Sequence, residues 1–166
     1  MLQCSKLHCL VVSDFRWVEF PSFSAGPGWQ RLRELSLAPV DEPLSVASAE
    51  AMAEGFSCLR SLLVLTLSGE NINPLLAHVH RIPSLRRLII GCFCFAYGLP
   101  HSNAAMLSLL RSCPDLGVEW QVDPSVYWRI GSMLQPLAEE ACFRLLCREG
   151  APLPGGRSLV RLVRDA

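Results

Sequence analysis

The chain has 166 residues, of which 51% are hydrophobic and 18% are charged. This composition supplies one sizeable core, leaves too little length for two large domains, and argues against extensive intrinsic disorder. Fifteen basic residues balance fifteen acidic ones, so the chain lacks the excess positive charge that binds nucleic-acid phosphates or anionic membranes broadly. We therefore expect no nucleic acid as the main ligand.

The N-terminal segment, residues 1–13, has a single lysine and an apolar run from Leu10 to Val12 that is too short for a secretory signal. The stretch 88–110 has no charged side chain, but Gly98 and Pro100 interrupt it, so no transmembrane segment is predicted. Eight cysteines without a secretory signal indicate reduced thiols. We expect a cytoplasmic or nuclear protein.

A motif of three apolar residues recurs along the chain at intervals of about 20–30 residues. Its copies are Leu7-x-x-Leu10-x-Val12, Leu32-x-x-Leu35-x-Leu37, Leu62-x-x-Leu65-x-Leu67, Leu85-x-x-Leu88-x-Ile90 and a degenerate fifth copy running from Leu116 through Val118 to Trp120. In a short strand alternate side chains face opposite sides, so each copy predicts a strand with its apolar residues on one face. The third copy has a second register, Leu59-x-x-Leu62-x-Val64, and the sequence leaves both open.

The intervals between copies must return the chain to the start of a parallel strand, which a tight turn cannot do. Three intervals carry a capping residue before a run of helix formers. These segments are 45–56 with Ser45 or Ser48 as the cap, 73–79 with Asn73 followed by Pro74, and 102–110 with Ser102 or Asn103. The interval 20–28 is rich in proline and glycine and predicts an extended loop.

Three stretches make the chain resemble an intracellular leucine-rich repeat protein, similar to the ribonuclease inhibitor class and to the repeat portion of F-box proteins. They are Pro83 to Ile90, Cys113 to Leu116 and Leu65 to Ile72. The resemblance covers roughly residues 5–122. It implies an α/β solenoid with parallel strands on the concave face, helices on the convex face, and a helical C-terminal cap.

The first repeat begins at residue 7 with no cap before it. An open first repeat exposes apolar surface, so we expect this edge to pair with another chain, or the polypeptide to be a shortened form of a longer protein. The F-box segment that precedes the repeats in F-box proteins has no counterpart here.

Residues 123–166 depart from the repeat pattern. We divide the chain into repeats at 1–122, a C-terminal cap at 123–156 and a basic tail at 157–166. Val126 to Ile130 predicts a final strand, and Pro136 to Glu149 predicts a helix that begins at a proline and ends before a glycine. For the tail we expect either docking onto the body or disorder.

The sequence has few signals for catalysis or metal binding. Cys4, His8 and Cys9 form one group of potential ligands, and Cys92 and Cys94 form another, but neither has the paired spacing of a zinc site. Motifs for a nucleophile elbow, a zinc protease or a phosphate loop do not occur. We therefore predict no enzyme, no metal and no cofactor.

The residues between the apolar repeat positions are the strongest candidates for a binding surface. They stand side by side on the strands, where arginine beside aliphatic side chains is typical of a protein interface. The predicted partner-binding residues are Arg33, Glu34, Ser36, Val64, Thr66, Arg86, Arg87 and Ile89.

We accordingly expect a non-catalytic protein-interaction module whose concave face binds a protein partner. The F-box resemblance implies substrate recognition in a ubiquitin ligase adaptor, with ligase components as partners if the chain is part of a longer protein. The alternatives are a scaffold or inhibitor that wraps one protein, a truncated isoform without independent activity, and a thiol- or zinc-dependent enzyme.

Overall fold

The computed structural model describes residues 7–16, 27–39, 44–69, 71–91, 99, 101–123, 127–141, 143–153 and 157–164. These residues form a mixed α/β fold, as the sequence predicted. Its strands are β1 (Cys9–Phe15), β2 (Glu34–Pro39), β3 (Val64–Ser68), β4 (Arg87–Gly91), β5 (Gly117–Val122), β6 (Phe143–Leu153) and β7 (Arg157–Arg164). Its helices are α1 (Pro27–Gln30), α2 (Val46–Glu54), α3 (Asn73–Leu76), α4 (Asn103–Ser112) and α5 (Tyr127–Ala141), with 3₁₀ turns at Phe56–Cys58 and Val79–Arg81.

The described strands form one sheet in the order β1-β2-β3-β4-β5-β7-β6. The first five, which carry the repeated motif, pair in parallel with their chain neighbours, and their leucine positions are in register. One row joins Leu10, Leu35, Leu65, Leu88 and Val118, and the next joins Val12, Leu37, Leu67, Ile90 and Trp120. The predicted alignment of the repeat strands is confirmed, and β3 uses the register with Leu65 and Leu67.

The core lies on one side of the sheet, between the strands and the helices. The inward residues of β2 to β4, such as Leu37, Leu65 and Leu88, are at most 1% exposed. They pack in one cluster with helical residues including Met52 and Leu75. Alternation in the strands therefore separates an apolar core side from an opposite, open side.

The helices after β2 and after β4 begin where the sequence predicted. The Ser45 hydroxyl accepts a hydrogen bond from the Ser48 amide at the start of α2, and the Ser102 hydroxyl accepts one from the Ala105 amide at the start of α4. Both serines satisfy an amide that the first helical turn leaves without an internal acceptor. The predicted helix at 73–79 is α3 followed by a 3₁₀ turn, with Ile72 rather than Asn73 at the N-cap position.

A repeated hydrogen-bond pattern locks each strand to the preceding one. The His8 carbonyl accepts from the Arg33 and Glu34 amides, and the Arg33 carbonyl accepts from those of Leu63 and Val64. The pattern continues one strand later, where the Leu63 carbonyl accepts from the amides of Arg86 and Arg87. The same pairing at three successive steps, from β1 to β4, fixes the register that aligns the leucines.

Two predictions for the C-terminal region are wrong. Of the strand predicted at 126–130, residues 127–130 are helical, because α5 begins at Tyr127; residue 126 lies outside the described residues. The helix predicted for 136–149 is also wrong: α5 contains Pro136 in its interior and ends at Ala141, and the chain from Phe143 onwards is strand β6. Tertiary pairing explains this difference, since β6 pairs antiparallel with β7 along most of its length.

The segment 157–164, predicted as part of a basic tail, docks onto the body as strand β7. It lies between β5 and β6 and pairs antiparallel with both. The C-terminal part of the described chain thus combines helix α5 with an antiparallel pair of strands. The loop predicted at 20–28 lies outside the described residues as far as residue 26, and α1 begins at Pro27. Among the described residues, no helix combines the length and the apolar character that crossing a bilayer requires.

Candidate functional site

The side of the sheet that faces away from the helices carries the candidate site, and we call it the open face. Three rows of side-chain positions cross it, as the strand register dictates. The first row is Cys9, Glu34, Val64, Arg87 and Gly117, and the second is Val11, Ser36, Thr66, Ile89, Glu119 and Arg161. The third consists of two separate parts, Ser13 with Ala38, and Ser68 with Gly91 and Gln121.

The structure brings six of the eight predicted partner-binding residues together in adjacent rows. The first row contains Glu34, Val64 and Arg87, and the second contains Ser36, Thr66 and Ile89. The other two, Arg33 and Arg86, are exposed and stand directly before β2 and β4. Their backbone carbonyls take part in the inter-strand pattern, which anchors both arginines to the sheet at equivalent positions.

Exposure of the open face decreases from β1 towards β5. In the second row Val11 is 66% exposed, Ile89 is 7% exposed and Glu119 is 2% exposed. Ile89 is buried without belonging to the core cluster, as expected for a residue on the opposite side of the sheet. It therefore offers little surface to a partner, in contrast to the aliphatic side chains nearer β1.

Three charged side chains meet where the open face is least exposed, on β4, β5 and β7. We call these residues, Arg87, Glu119 and Arg161, the arginine–glutamate cluster. The Arg87 Nε–H donates to Glu119 Oε2 at 2.7 Å, and Arg87 Nη2 also contacts that oxygen. The Arg161 Nε lies 3.2 Å from the other carboxylate oxygen, Oε1. A buried carboxylate is costly unless it is paired, and here each of its oxygens has its own guanidinium.

Sequence reasoning did not identify Glu119 and Arg161 as site residues. Glu119 could have been found, because it stands between Val118 and Trp120 in the fifth repeat, at the position equivalent to Ile89. Arg161 belongs to the segment 157–166 that the sequence predicts as a basic tail, and the sequence does not indicate its place in the sheet. Its place depends on the antiparallel pairing of β7 with β5, a contact between segments distant in sequence.

A second polar pair, His101 and Trp120, lies on the core side. The Trp120 indole N–H donates to His101 Nε2 at 2.9 Å, and His101 is 6% exposed. Accepting this bond requires an unprotonated Nε2, so the neutral ring carries its proton on Nδ1. Burial lowers the His101 pKa from its usual 6.5 to about 4, partly opposed by the Ser102 carbonyl. The pair satisfies the polar atom of the fully buried tryptophan.

Three free cysteines have described side chains: Cys9, which is exposed, and Cys58 and Cys113, which are half-buried. Burial raises the pKa of the Cys113 thiol, which disfavours the nucleophilic thiolate. No three His, Cys, Asp or Glu side chains within the described ranges are grouped so that they could hold a metal ion. Cys4, Cys92 and Cys94 lie outside those ranges.

Comparisons of the chain with protein-family models, with curated proteins and with solved structures found no match.

Proposed function

We propose that this chain is a leucine-rich repeat solenoid that binds a protein partner on its open face and performs no catalysis. Three features support the repeat architecture. The strands of the motif follow one another in parallel, their leucines are in register, and the helices contact one another in chain order from α2 to α5. A sheet built this way presents equivalent side chains in rows, which is how repeat proteins form extended binding surfaces.

The observation that carries the binding proposal is the chemistry of those rows. Apolar side chains remain accessible on the open face and directly before its strands, with Val11 66% exposed and Leu63 41% exposed. Leu63 occupies the position before β3 that Arg33 and Arg86 occupy before their own strands. An exposed leucine between two arginines combines a side chain type that is enriched at protein interfaces with apolar surface that a partner can bury.

The more specific role, substrate recognition in an F-box-type ubiquitin ligase adaptor, stays a prediction from the resemblance. It requires a physical link to ligase scaffold components. Co-purification of this chain with those components tests the link to the ligase. Capture of a substrate is measured separately, so that the ligase role is examined independently of the binding surface.

Affinity capture with matched charge-reversal variants tests the proposed surface. One variant carries Arg33→Glu and Arg86→Glu, both exposed residues before repeat strands. The control carries Arg81→Glu and Arg111→Glu, which have the same total charge change but lie in the 3₁₀ turn after α3 and in α4. We expect the first variant to lose at least ten-fold of the partner recovered by the wild-type chain, because reversed charges at a desolvated interface repel complementary groups.

The control should recover the partner at the wild-type level, and circular dichroism should show that both variants are folded. Each recovered protein is then purified and its affinity for the wild-type chain and the variants is measured. Equal loss in both variants, or loss in the control alone, would place the binding surface elsewhere.

A further inference from the structure

The arginine–glutamate cluster gives the open face a defined ligand chemistry. We propose that Arg87 and Arg161 together bind a carboxylate from an acidic segment of the protein partner. This inference rests on the proposed function of the open face and identifies the class of partner that the face accepts.

Glu119 holds the two arginines in place from below. Its side chain is only 2% exposed, whereas those of Arg87 and Arg161 are 43% and 50% exposed. The carboxylate thus takes the buried side of the cluster, and the guanidiniums keep an accessible side. Holding long side chains in one geometry before binding reduces the conformational entropy lost when a ligand binds.

Both guanidiniums retain donors for a second acceptor. A guanidinium has five N–H donors in a planar fork that matches a carboxylate. Within the described contacts, Glu119 takes Nε and Nη2 of Arg87 and Nε of Arg161. The remaining N–H groups can pair with an incoming carboxylate in charge-assisted bonds, which are stronger than bonds between neutral groups.

The backbone beneath Arg161 leaves room for its side chain. A Cβ atom placed on Gly117 would lie 3.7 Å from Arg161 Nη2, so this guanidinium extends over the glycine in the first row. The first row pairs Gly117 directly with Arg87. Because Gly117 has no side chain, no side chain of the first row separates Arg87 from Arg161.

Local charge favours an acidic peptide over a polyphosphate. On strands β1 to β5, the described open face and the residues directly before those strands carry three arginines (Arg33, Arg86 and Arg87) and two glutamates (Glu34 and Glu119), and Arg161 of β7 adds a fourth arginine. The whole chain has a formal net charge of zero. A modest local excess of positive charge suits a few carboxylates, whereas nucleic acids are bound by many phosphate contacts.

The experiment measures fluorescence anisotropy of a labelled hexaglutamate peptide on titration with the full chain at low and at physiological salt. A hexaglutamine peptide and a six-nucleotide thymidine oligonucleotide serve as probes of the same length. We expect hexaglutamate to bind at least ten-fold more tightly than either one, with an affinity that falls as salt rises. Arg87→Gln and Arg161→Gln should each weaken binding about ten-fold, since each removes one of the charge-assisted partners.

Two further variants separate binding from a purely structural role of the cluster. Arg111→Gln should leave peptide affinity unchanged, because Arg111 lies on α4, on the helical side of the sheet, where it pairs with Glu140 of α5. Glu119→Gln removes the carboxylate that holds both guanidiniums in place and should weaken hexaglutamate binding, provided that circular dichroism shows a folded chain. If Glu119→Gln unfolds the chain, the two arginine variants decide alone.

Equal binding of hexaglutamate and hexaglutamine would overturn the inference, as would unchanged affinity in both arginine variants. Tighter binding of the oligonucleotide than of hexaglutamate would replace the carboxylate with a phosphate ligand. These outcomes leave the proposed function intact if partner capture still depends on Arg33 and Arg86. Conversely, if partner capture does not depend on Arg33 and Arg86 but hexaglutamate still binds, the proposed function is contradicted and the inference about the cluster is not.

Discussion

Two buried polar side chains, Glu119 and His101, are stabilised in different ways. Glu119 is paired with two opposite charges, on the open face. His101 instead stays neutral and accepts a hydrogen bond from Trp120 among core residues. Both are 6% exposed or less, so each must have a partner to offset the loss of water. The first contact is sensitive to salt and charge at the surface, and the second is sensitive to pH.

Acidification should destabilise the protein through His101. In the folded state its pKa is lowered to about 4, from the usual 6.5. Between these pH values the unfolded chain binds a proton that the folded chain does not, so stability falls as pH falls through this window. The shift corresponds to at most about 3 kcal/mol. Urea unfolding at several pH values from 7 to 3.5 measures the effect.

His101→Gln is the matched variant for this prediction, because its amide oxygen can still accept the Trp120 indole N–H. We expect the free energy of unfolding of wild-type protein to fall relative to the variant between pH 6.5 and 4, and the difference to be constant above and below that range. A difference that does not change with pH would show that His101 titrates alike in the folded and unfolded states.

At the scale of single residues, the sequence identifies positions well when a local repeat determines them. The alternation around Leu35, Leu65 and Leu88 predicted which side chains are inward, and the strand pairing puts the residues between them in rows. Arg161 was missed because β7 pairs with a distant segment. Its neighbours Val160 and Leu162 are buried while Arg161 is exposed, an alternation that in the sequence is also compatible with an amphipathic tail.

At the scale of elements, local signals predicted helix starts better than strand partners. Ser45 and Ser102 cap helices because the hydroxyl and the amide it satisfies lie three residues apart. In the C-terminal region, the aromatic and β-branched residues near Tyr127 suggested a strand, but burial of Ile130, Leu134 and Leu137 at helical spacing favours α5. Tertiary packing overrides local propensity there.

The cap of α4 has a measurable contribution. Ser102 accepts from the Ala105 amide, and its own amide donates to the Asn73 side-chain carbonyl at 2.7 Å, which connects the start of α4 to α3. Ser102→Ala removes the side-chain acceptor and should lower the free energy of unfolding by about 1 kcal/mol. Chemical denaturation followed by circular dichroism measures this loss.

Ser108→Ala supplies the control on the same helix, because Ser108 is exposed in the interior of α4. Alanine is the better helix former at such a position, so this variant should be as stable as the wild-type protein or slightly more so. Equal destabilisation by the two substitutions would mean that the cap contributes nothing specific.

At the scale of the whole molecule, the repeats are unequal. The inward residues of β1, Leu10 and Val12, are only partly buried, whereas their register partners Leu35 and Leu37 are at most 1% exposed. For the repeat solenoid proposed above, stability is roughly the sum of terms for each repeat and its neighbours. β1 should therefore contribute less than the internal strands.

Leucine truncations measure this gradient. Leu35→Ala should cost about 3 kcal/mol of unfolding free energy, the range for a fully buried leucine. Leu10 lies in the same row, and Leu10→Ala should cost about 1 kcal/mol, because folding buries less apolar surface at Leu10 than at Leu35. Equal costs would indicate that the edge strand is as tightly packed as the interior. Amide exchange of residues 9–15 should also be faster than that of residues 64–68.

The parallel order of the first five strands could be anticipated from the repeat, since each copy has the same inward residues and each interval is long enough for a crossover. The C-terminal order β5-β7-β6 could not. The chain enters β6 from α5 and returns as β7 between two strands, and no local pattern encodes an insertion of this kind. The part of the open face supplied by β1 to β4 was therefore predictable, whereas the arginine–glutamate cluster was only partly so.

Photo-crosslinking to the captured and purified partner tests the central claim, that the open face is the binding surface, most directly. A photoreactive amino acid replaces Ser36 or Thr66, which share the second row, and separately Ser57 or Ser108, which lie in the 3₁₀ turn after α2 and in α4. If the open face is the binding surface, the partner should form adducts with Ser36 and Thr66 variants and none with the other two variants. Adducts confined to Ser57 and Ser108 would contradict this claim.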